Sequence, residues 1–223
     1  MRRASTRAYH SPRRELAAAE TRAAVLAAAR EEFVSRGYSA TSLAAIADTA
    51  GVSLATVKLV AGTKAQLLSA AIHALMRRDD TTRMLREQPW WRELLAERDP
   101  ERLIDRFAAV VRSALDRQAG LFEVVWQAAP SEPELAELER RGSLGRRDDA
   151  RQVVLALSSL GALAADTDVD TATDTVWAIA SPQVHRLLVT RRKWTSDRWE
   201  AWLRDVLRRQ LLRPARRTRQ APS

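Results

Sequence analysis

The chain has 223 residues, of which 46% are hydrophobic, and it carries a formal net charge of +9 with no cysteine. This length is sufficient for a sizeable core, and the lack of cysteine excludes disulfides, thiolate zinc sites and cysteine nucleophiles. The longest apolar run, 153–165, is shorter than the roughly 20 residues that span a bilayer, and no hydrophobic signal segment follows the basic N terminus. We therefore expect a soluble, cytoplasmic protein with no membrane partner.

The positive charge lies mainly at the two ends. Residues 1–70 contain ten Lys and Arg against five Asp and Glu, residues 213–223 contain four against none, and the middle of the chain balances at 23 of each. Basic ends attract polyanions, although a solvated tail gives the same pattern. Because the segments 1–14 and 213–223 show no apolar periodicity, we predict a disordered basic arm and a disordered basic tail.

Abundant Ala, Leu and Arg with few Gly and Pro predict an all-α protein. The first helix is predicted from Leu16 to Ser35, where apolar residues recur at helical spacing, and Gly37 is a natural terminator. Thr41 can cap a second helix that ends before Gly51, and a glycine suits the tight turn needed there.

Capping residues mark the third and fourth helices. Ser53 can cap a short helix from Leu54 to Val60, which Gly62 ends. The tetrapeptide Thr63-Lys64-Ala65-Gln66 has the pattern of a capping box and predicts the start of a long fourth helix.

Five more helices are predicted beyond residue 90, with breaks at Pro130, Pro133 and 166–170. Their predicted ranges are 100–118, 120–129, 133–165, 171–190 and 196–212. Gly142 and Gly145 leave open whether the third of these is one helix or two.

The segment 42–61 has the spacing of a helix-turn-helix. Ala47 is small where two helices would cross, and Gly51 turns the chain. Ile46, Val52, Val57 and Val60 can form a small core between the two helices. Such a pair presents its second helix to the major groove of DNA. The spacing alone is also compatible with an ordinary helical hairpin in an enzyme.

This motif and its surroundings resemble the N-terminal domain of the tetracycline-repressor (TetR) family. The matching positions are Ala24 to Ala29, Phe33, Gly37, Tyr38, Thr41 to Leu43, Ile46, Ala47, Ala50 to Ser53, Thr56, Val57, Gly62 to Lys64, Leu67 and Leu68. The resemblance implies a transcription regulator, expected to be a ligand-responsive repressor that binds a palindromic operator as a homodimer. The alternative is a non-enzymatic helical protein that binds DNA with little sequence specificity.

The predicted organisation is an N-terminal three-helix, helix-turn-helix DNA-binding domain and a larger C-terminal helical ligand and dimerisation domain, with about nine helices in all. The boundaries are an arm at 1–14, the DNA-binding domain at 15–62 with its motif at about 42–61, the helical domain at 63–212, and a tail at 213–223.

Nine residues are implied to contact DNA by this resemblance. They are Thr41, Ser42, Ser53, Leu54, Ala55, Thr56, Lys58, Leu59 and Lys64. Thr41, Ser53, Lys58 and Lys64 are implied phosphate contacts, and Leu54, Ala55, Thr56 and Leu59 are implied base readers. Because three of these four base readers are apolar or small, we expect contacts to thymine methyl groups and little bidentate hydrogen bonding. The arm can enter a flanking minor groove, or it is only a solvated tail.

Two positions depart from the usual pattern of the family. Lys58 replaces the usual Tyr, and a Lys can still bind phosphate as a point charge. Ala61 replaces the usual Phe, and such a loss in a core costs about 3–5 kcal/mol unless neighbours fill the space. Leu59 or Leu67 is expected to fill it.

The last two predicted helices carry apolar stripes that favour a homodimer, with burial inside the monomer as the alternative. The predicted interface consists of Val184, Leu187, Leu188, Trp199, Trp202, Leu203, Val206 and Leu207.

An apolar small-molecule ligand is expected to bind among aromatic residues, although such residues are also typical of a plain core. The candidates are Phe107, Val111, Phe122, Trp126, Gln152 and Trp177.

The sequence does not favour an enzyme. It lacks the nucleophile-elbow, dinucleotide, phosphate-loop and zinc-protease motifs, and its three histidines, His10, His73 and His185, are scattered. We therefore predict no catalytic residue, no metal and no cofactor. A membrane-surface helix would need its arginines on one face, whereas here the excess charge lies at the two ends.

Overall fold

The computed structural model describes residues 12–76 and 88–213, which fold mainly into helices with no β-strand among them. The all-α prediction is confirmed. The helices are α1 (Pro12–Ala40), α2 (Leu43–Ala50), α3 (Leu54–Ala61), α4 (Lys64–Met76), α5 (Pro89–Leu95), α6 (Pro100–Ala128), α7 (Pro133–Ser159), α8 (Val169–Ile179), α9 (Pro182–His185) and α10 (Ser196–Leu211). After α9 the residues Arg186–Arg191 form a π-helix, named here the π segment.

The contacts divide the chain into two compact units, residues 1–74 and 75–223. The first unit contains α1, α2, α3 and most of α4. The domain boundary expected from the sequence, at residue 62, assigns α4 to the second domain, and it stays a prediction.

The core of the first unit is built from apolar residues at helical spacing on four helices. Phe33 is fully buried and stacks on Tyr38, with the ring centroids 6.0 Å apart. Full burial of a side chain of this size stabilises the fold by about 1.5–3 kcal/mol. The other buried apolar residues are Val25, Leu26, Ala28, Ala29, Ile46, Ala47, Val57, Ala65, Leu67, Leu68, Ala71 and Ile72.

Helix α1 is longer than predicted at both ends. It begins at Pro12, so residues 12–14 of the predicted disordered arm are helical, because proline is well tolerated in a first helical turn. The rest of the predicted arm lies outside the described residues. At the other end Gly37 breaks the helix with φ 76° and ψ 174°, but one more turn follows to Ala40. Gly37 is therefore a kink, and the final stop comes later.

The predicted disordered tail is wrong at its first residue. The backbone N–H of Arg213 donates to the carbonyl of Ala162 at 3.0 Å, and its guanidinium Nε donates to the carbonyl of Leu163 at 2.8 Å. Leu163 also forms an isolated antiparallel bridge with Leu212. The remainder of the predicted tail lies outside the described residues.

Helices in the second unit are joined and divided differently from the prediction. The predicted helices 100–118 and 120–129 form the single helix α6, since Gly120 is tolerated inside a helix. Helix α7 runs unbroken through Gly142 and Gly145, which answers the question left open above. It ends at Ser159 because Gly161, at φ 65°, turns the chain.

The predicted helix 171–190 is interrupted near its middle. Ser181 caps α9 by accepting the N–H of Val184, and Pro182 occupies the first helical position. Since proline has no N–H to continue the preceding helix, α8 stops at Ile179. Helix α5 was not predicted, and its Trp91 and Leu94 are almost completely buried.

The second unit has one large core around α6, against which α5, α7 and α10 pack. One face of α10, at spacing i, i+4, is fully inside this core: Trp199, Leu203, Leu207 and Leu211. Among the described helices, none alone has the length and apolar character to cross a membrane; α2 and α3 pass that test only as a pair bent by 107°.

Candidate nucleic-acid interface and ligand cavity

Helices α2 and α3 cross at 107°, within the 90–120° typical of a helix-turn-helix. The turn between them depends on Gly51, which adopts a left-handed conformation with φ 67° and ψ 31°. Ser53 caps α3, as predicted, because its hydroxyl accepts the N–H of Thr56 at 3.1 Å. The two helices are therefore held at this angle by short-range interactions.

Helix α3 buries one residue and exposes a face. Val57 is 1% exposed and anchors the helix in the core, whereas Leu59 is 89% exposed and Leu54 is 40% exposed. Ala55 and Lys58 are also exposed. This face carries apolar side chains and one cation. Apolar side chains can contact thymine methyl groups, and a cation can contact a phosphate.

The C-terminal end of α3 accepts one hydrogen bond from α1 and is followed by a glycine with positive φ. The guanidinium of Arg22 on α1 donates to the carbonyl of Val60 at 2.9 Å. Gly62 follows with φ 69°, and a Cβ there would collide with the side-chain oxygen of Gln66.

The expectation that Leu59 fills the space of the missing Phe at Ala61 is wrong, because Leu59 faces solvent, whereas Leu67 is fully buried.

The predicted capping box at the start of α4 is present in both directions. The hydroxyl of Thr63 accepts the N–H of Gln66 at 3.1 Å, and the side-chain oxygen of Gln66 accepts the N–H of Thr63 at 2.9 Å. The N terminus of α4 is therefore closed by its own side chains.

The side chain of Lys64 is used inside the first unit. Its ammonium donates to the carbonyls of Tyr38 at 2.9 Å and Thr41 at 3.1 Å, and it lies 4.2 Å from the centre of the Tyr38 ring. These interactions fix the connection between α1 and α2. Only one of its three protons is left for a phosphate.

The side chain of Thr41 is also internal. It is 2% exposed, and its hydroxyl lies 2.7 Å from the carbonyl of Gly37 and 3.0 Å from that of Glu32. Contrary to the prediction, Ser42 rather than Thr41 caps α2, by accepting the N–H of Ala45. A phosphate contact from the Thr41 hydroxyl is not compatible with this burial.

The second unit contains a cavity of about 370 Å³ between α6 and the α9–π region. Its wall is formed by Leu115, Ala119, Gly120, Phe122, Glu123, Trp126, Pro182, His185, Arg186, Thr190 and Arg191. The volume lies within the roughly 300–1,000 Å³ of small-molecule pockets. Ala119 and Gly120 are small, and this helps to leave the space open.

Two of the six predicted ligand residues, Phe122 and Trp126, lie in this wall, and the other four do not. Phe107 is buried in the core and Val111 packs against it. The side-chain oxygen of Gln152 accepts the indole N–H of Trp91 at 2.9 Å, and Trp177 is a surface residue, 36% exposed.

Charged groups surround the two aromatic residues of the cavity. The rings of Phe122 and Trp126 stack at 5.8 Å, and the guanidinium of Arg186 lies 5.3 Å from the Trp126 centre. Arg186 also forms an ion pair with Glu123, with Nη2 2.7 Å from Oε1. The guanidinium of Arg146 lies 5.8 Å from the Phe122 centre.

His185, which the sequence analysis set aside, occupies a specific position in the cavity wall. It is 3% exposed, its Nε2 lies 3.2 Å from Oδ1 of Asp116, and it meets Trp199 edge-on at 4.9 Å. Burial lowers the pKa of His185, and the neighbouring Asp116 carboxylate opposes part of that decrease. The neutral imidazole can donate its Nε2 proton to Asp116.

The eight predicted dimer-interface residues fall into a buried and an accessible group. The prediction is wrong for Trp199, Leu203 and Leu207, because these side chains are at most 1% exposed and lie inside the monomer core. The other five keep some exposure: Val184, Leu188, Trp202 and Val206 are half-buried, and Leu187 is 55% exposed.

Comparison with known proteins confirms the N-terminal resemblance. Residues 25–71 match the family model of bacterial regulatory proteins, tetR family. No curated protein sequence matches the chain.

Solved structures match most of the chain. NalD, the secondary repressor of the MexAB-OprM multidrug efflux pump in Pseudomonas aeruginosa, has a TM-score of 0.68 at 24% identity, covering 88% of this chain and 98% of NalD. The SmeT–triclosan complex has a TM-score of 0.68 at 18% identity, covering 87% and 93%. A candidate transcriptional regulator from Saccharomonospora viridis in complex with choline has a TM-score of 0.66 at 18% identity, covering 87% and 99%. At these identities the similarity establishes the fold.

Proposed function

We propose that this chain, whose residues 25–71 match the family model of bacterial regulatory proteins, tetR family, is a ligand-responsive transcription regulator that binds a palindromic operator as a homodimer. The observation that carries the proposal is the α2–α3 pair, bent by 107°, with the exposed face of α3 opposite its buried anchor Val57. A helix presented in this way fits the major groove of duplex DNA.

In the proposed complex, base contacts come from the exposed face of α3. Leu54, Ala55 and Leu59 lie on it, so contact with thymine methyl groups outweighs directional hydrogen bonding. Lys58 on the same face binds phosphate. Ser42 and Ser53 lie at the N-terminal ends of α2 and α3, where the helix dipole favours an anion, and Thr56 lies in the first turn of α3.

Dimerisation doubles the sequence that one regulator reads. A single recognition helix reads only a few base pairs, and two helices related by twofold symmetry can read half-sites about 34–36 Å apart. We assign the dimer contact to Val184, Leu187, Leu188, Trp202 and Val206, which remain accessible after the monomer core is formed. A Leu187→Glu variant tests the assignment, since it places a charge in the proposed seam without touching the core.

The proposed ligand site is the cavity of the second unit. Its volume and its aromatic residues fit a small molecule. The similar structures of SmeT with triclosan and of the Saccharomonospora viridis protein with choline support a ligand in this fold. The proposed action is repression relieved by the ligand, with no enzymatic step.

Selection from a random duplex library at about 0.15 M salt tests the proposal with the full chain. We expect enrichment of an approximately palindromic sequence. The alternative is DNA binding with little sequence specificity, which the small and apolar side chains on the exposed face of α3 would also allow. It predicts that duplexes are retained without enrichment of any sequence. That second outcome would overturn the operator proposal.

A further inference from the structure

The two arginines in the cavity wall differ in how their charge is neutralised. Arg186 is paired with Glu123, the one carboxylate in the wall. Arg191, at the end of the π segment, is exposed and forms no ion pair with another described residue. Among the described residues, the wall therefore keeps one positive charge that has no ion-pair partner.

Two further carboxylates, those of Asp116 and Glu139, lie close to the wall but do not line the cavity. Oδ1 of Asp116 accepts the hydroxyl proton of Ser196 at 2.8 Å and faces Nε2 of His185 at 3.2 Å. Oε1 of Glu139 accepts the indole N–H of Trp126 at 3.0 Å. Within the wall itself Glu123 is paired with Arg186, and no carboxylate among the described residues forms an ion pair with Arg191.

The aromatic rings of the cavity are poorly prepared for a cationic ligand. An aromatic cage holds a quaternary ammonium by the electron-rich faces of its rings. Here Phe122 and Trp126 stack on each other, and the guanidinium groups of Arg146 and Arg186 already interact with them. An entering cation would compete with these two guanidinium groups and would be repelled by them.

We propose that the cavity binds a small organic anion, with an apolar body and one carboxylate. The carboxylate lies against Arg191, and the apolar body lies against Leu115, Phe122 and Trp126. A guanidinium and a carboxylate form charge-assisted hydrogen bonds, which give this end of the site its selectivity. The inference rests on the proposed function only in placing the ligand of the regulator in this cavity.

Three probes that share one ring system and differ in charge test the inference: 2-naphthoate, 2-naphthamide and 2-naphthylmethylammonium. Each is titrated calorimetrically into the full chain at fixed salt. We expect naphthoate to bind about tenfold more tightly than the amide, and the ammonium to bind most weakly. Equal affinities, tighter binding of the ammonium, or no binding of naphthoate would overturn the proposal.

Substitution of Arg191 assigns the effect to this site. Arg191→Gln is expected to weaken naphthoate about tenfold and to leave naphthamide unchanged, because only the charged end loses its partner. Arg192→Gln is the matched control, since Arg192 is the exposed neighbour outside the cavity wall. If Arg192→Gln has the larger effect, or if both have none, the carboxylate does not bind at Arg191. Circular dichroism verifies that both variants are folded.

The result is independent of whether DNA is recognised. Calorimetry measures the anion directly, so charge selectivity can be established even if the library selection enriches no operator. Conversely, an enriched operator with a cavity that prefers naphthylmethylammonium would leave the proposed function intact and overturn the anion proposal alone.

Discussion

The two units of the chain use their basic residues in different ways. In the second unit arginines are paired with carboxylates on other helices. Arg112 on α6 forms ion pairs with Asp197 at 2.7 Å and with Glu200 at 2.8 Å, both on α10. Arg208 on α10 forms an ion pair with Asp105 on α6 at 2.8 Å. Each pair on the surface contributes little to stability, but each removes a positive charge from the outward field.

In the first unit Arg36 is paired with Glu32 on the same helix, at 3.1 Å, but three other cations lie on carbonyl groups or in solvent. Arg22 donates to a carbonyl of α3, Lys64 donates to two carbonyls near the end of α1, and Lys58 forms no ion pair with another described residue. Hydrogen bonding to a carbonyl leaves the full charge of the donor in place. The first unit is therefore the one whose positive charge remains available to a polyanion, whereas most of the charge of the second unit is cancelled internally.

The largest effect expected concerns the predicted dimer residues, which the structure divides between core and surface. Leu203→Ala leaves a cavity in a fully buried site, and it should lower the free energy of unfolding by about 2–5 kcal/mol. Leu187→Ala, at an exposed leucine, should change it by less than about 0.5 kcal/mol. Denaturant unfolding at a concentration where the protein is monomeric measures both values.

The same two variants also separate monomer core from interface. If Leu187 belongs to the dimer seam, Leu187→Ala should weaken self-association in sedimentation velocity while the monomer stays equally stable. Equal loss of monomer stability from both variants would show that the exposure of Leu187 has been misjudged and that the seam lies elsewhere.

The first unit could be predicted closely because its determinants are short-range. Ser53, Gly51 and the Thr63–Gln66 pair act within four residues of their partners, so the local sequence contains the whole interaction. The family resemblance added the DNA-binding interpretation. The prediction failed at Thr41 because its side chain is buried, with the hydroxyl 2.7 Å from the carbonyl of Gly37 and 3.0 Å from that of Glu32, nine residues earlier in the chain.

The second unit was harder to predict because its arrangement depends on distant contacts. Periodicity identified the apolar stripe of α10, but a stripe is the same whether its partner is α6 or another subunit. Trp199 and Leu203 turned out to face the monomer core. The cavity also depends on residues far apart in sequence, such as Glu123 and Arg186, for which a linear pattern gives no signal.

A second prediction concerns Lys64, the internal lysine of the first unit. Lys64→Met keeps an apolar stem and removes the ammonium, so the carbonyls of Tyr38 and Thr41 lose a charged donor. We expect a decrease of about 1–3 kcal/mol in the free energy of unfolding, measured by urea titration. Unchanged stability would mean that water replaces the ammonium without cost, and Lys64 would then be a candidate for phosphate contact alone.

A third prediction concerns Lys58, the exposed lysine. Lys58→Met should leave stability unchanged, weaken binding to all duplexes similarly, and reduce the slope of log affinity against log salt by about one. Arg147→Met is the control from the second unit, because Arg147 is already paired with Asp174 at 2.7 Å. If the two variants reduce the slope equally, the proposed difference between paired and available charge does not govern DNA binding.

The smallest effect expected is a pH dependence that originates at His185. Its pKa is lowered in the folded protein because the ring is buried, so the unfolded chain binds a proton more readily than the native state does. The contribution of neutral, buried His185 to the free energy of unfolding is therefore fully present above the unfolded-state pKa of about 6.5. It is lost as the pH falls from there through the lower pKa of the folded state. Glu97, Glu137 and Asp168 also have lowered pKa values, but these act below about pH 5, which is lower than either pH compared below.

Urea midpoints at about pH 7.5 and 5.5 measure this dependence, since these two values lie above and below the pKa of a histidine in the unfolded chain, about 6.5. The wild type should be less stable at the lower pH, and His185→Gln should reduce that difference because no imidazole remains to be protonated. His73→Gln is the control at an exposed histidine, and it should keep the dependence. If His185→Gln retains the full difference, the Asp116 carboxylate offsets the burial of the imidazole, and the pH response comes from another group.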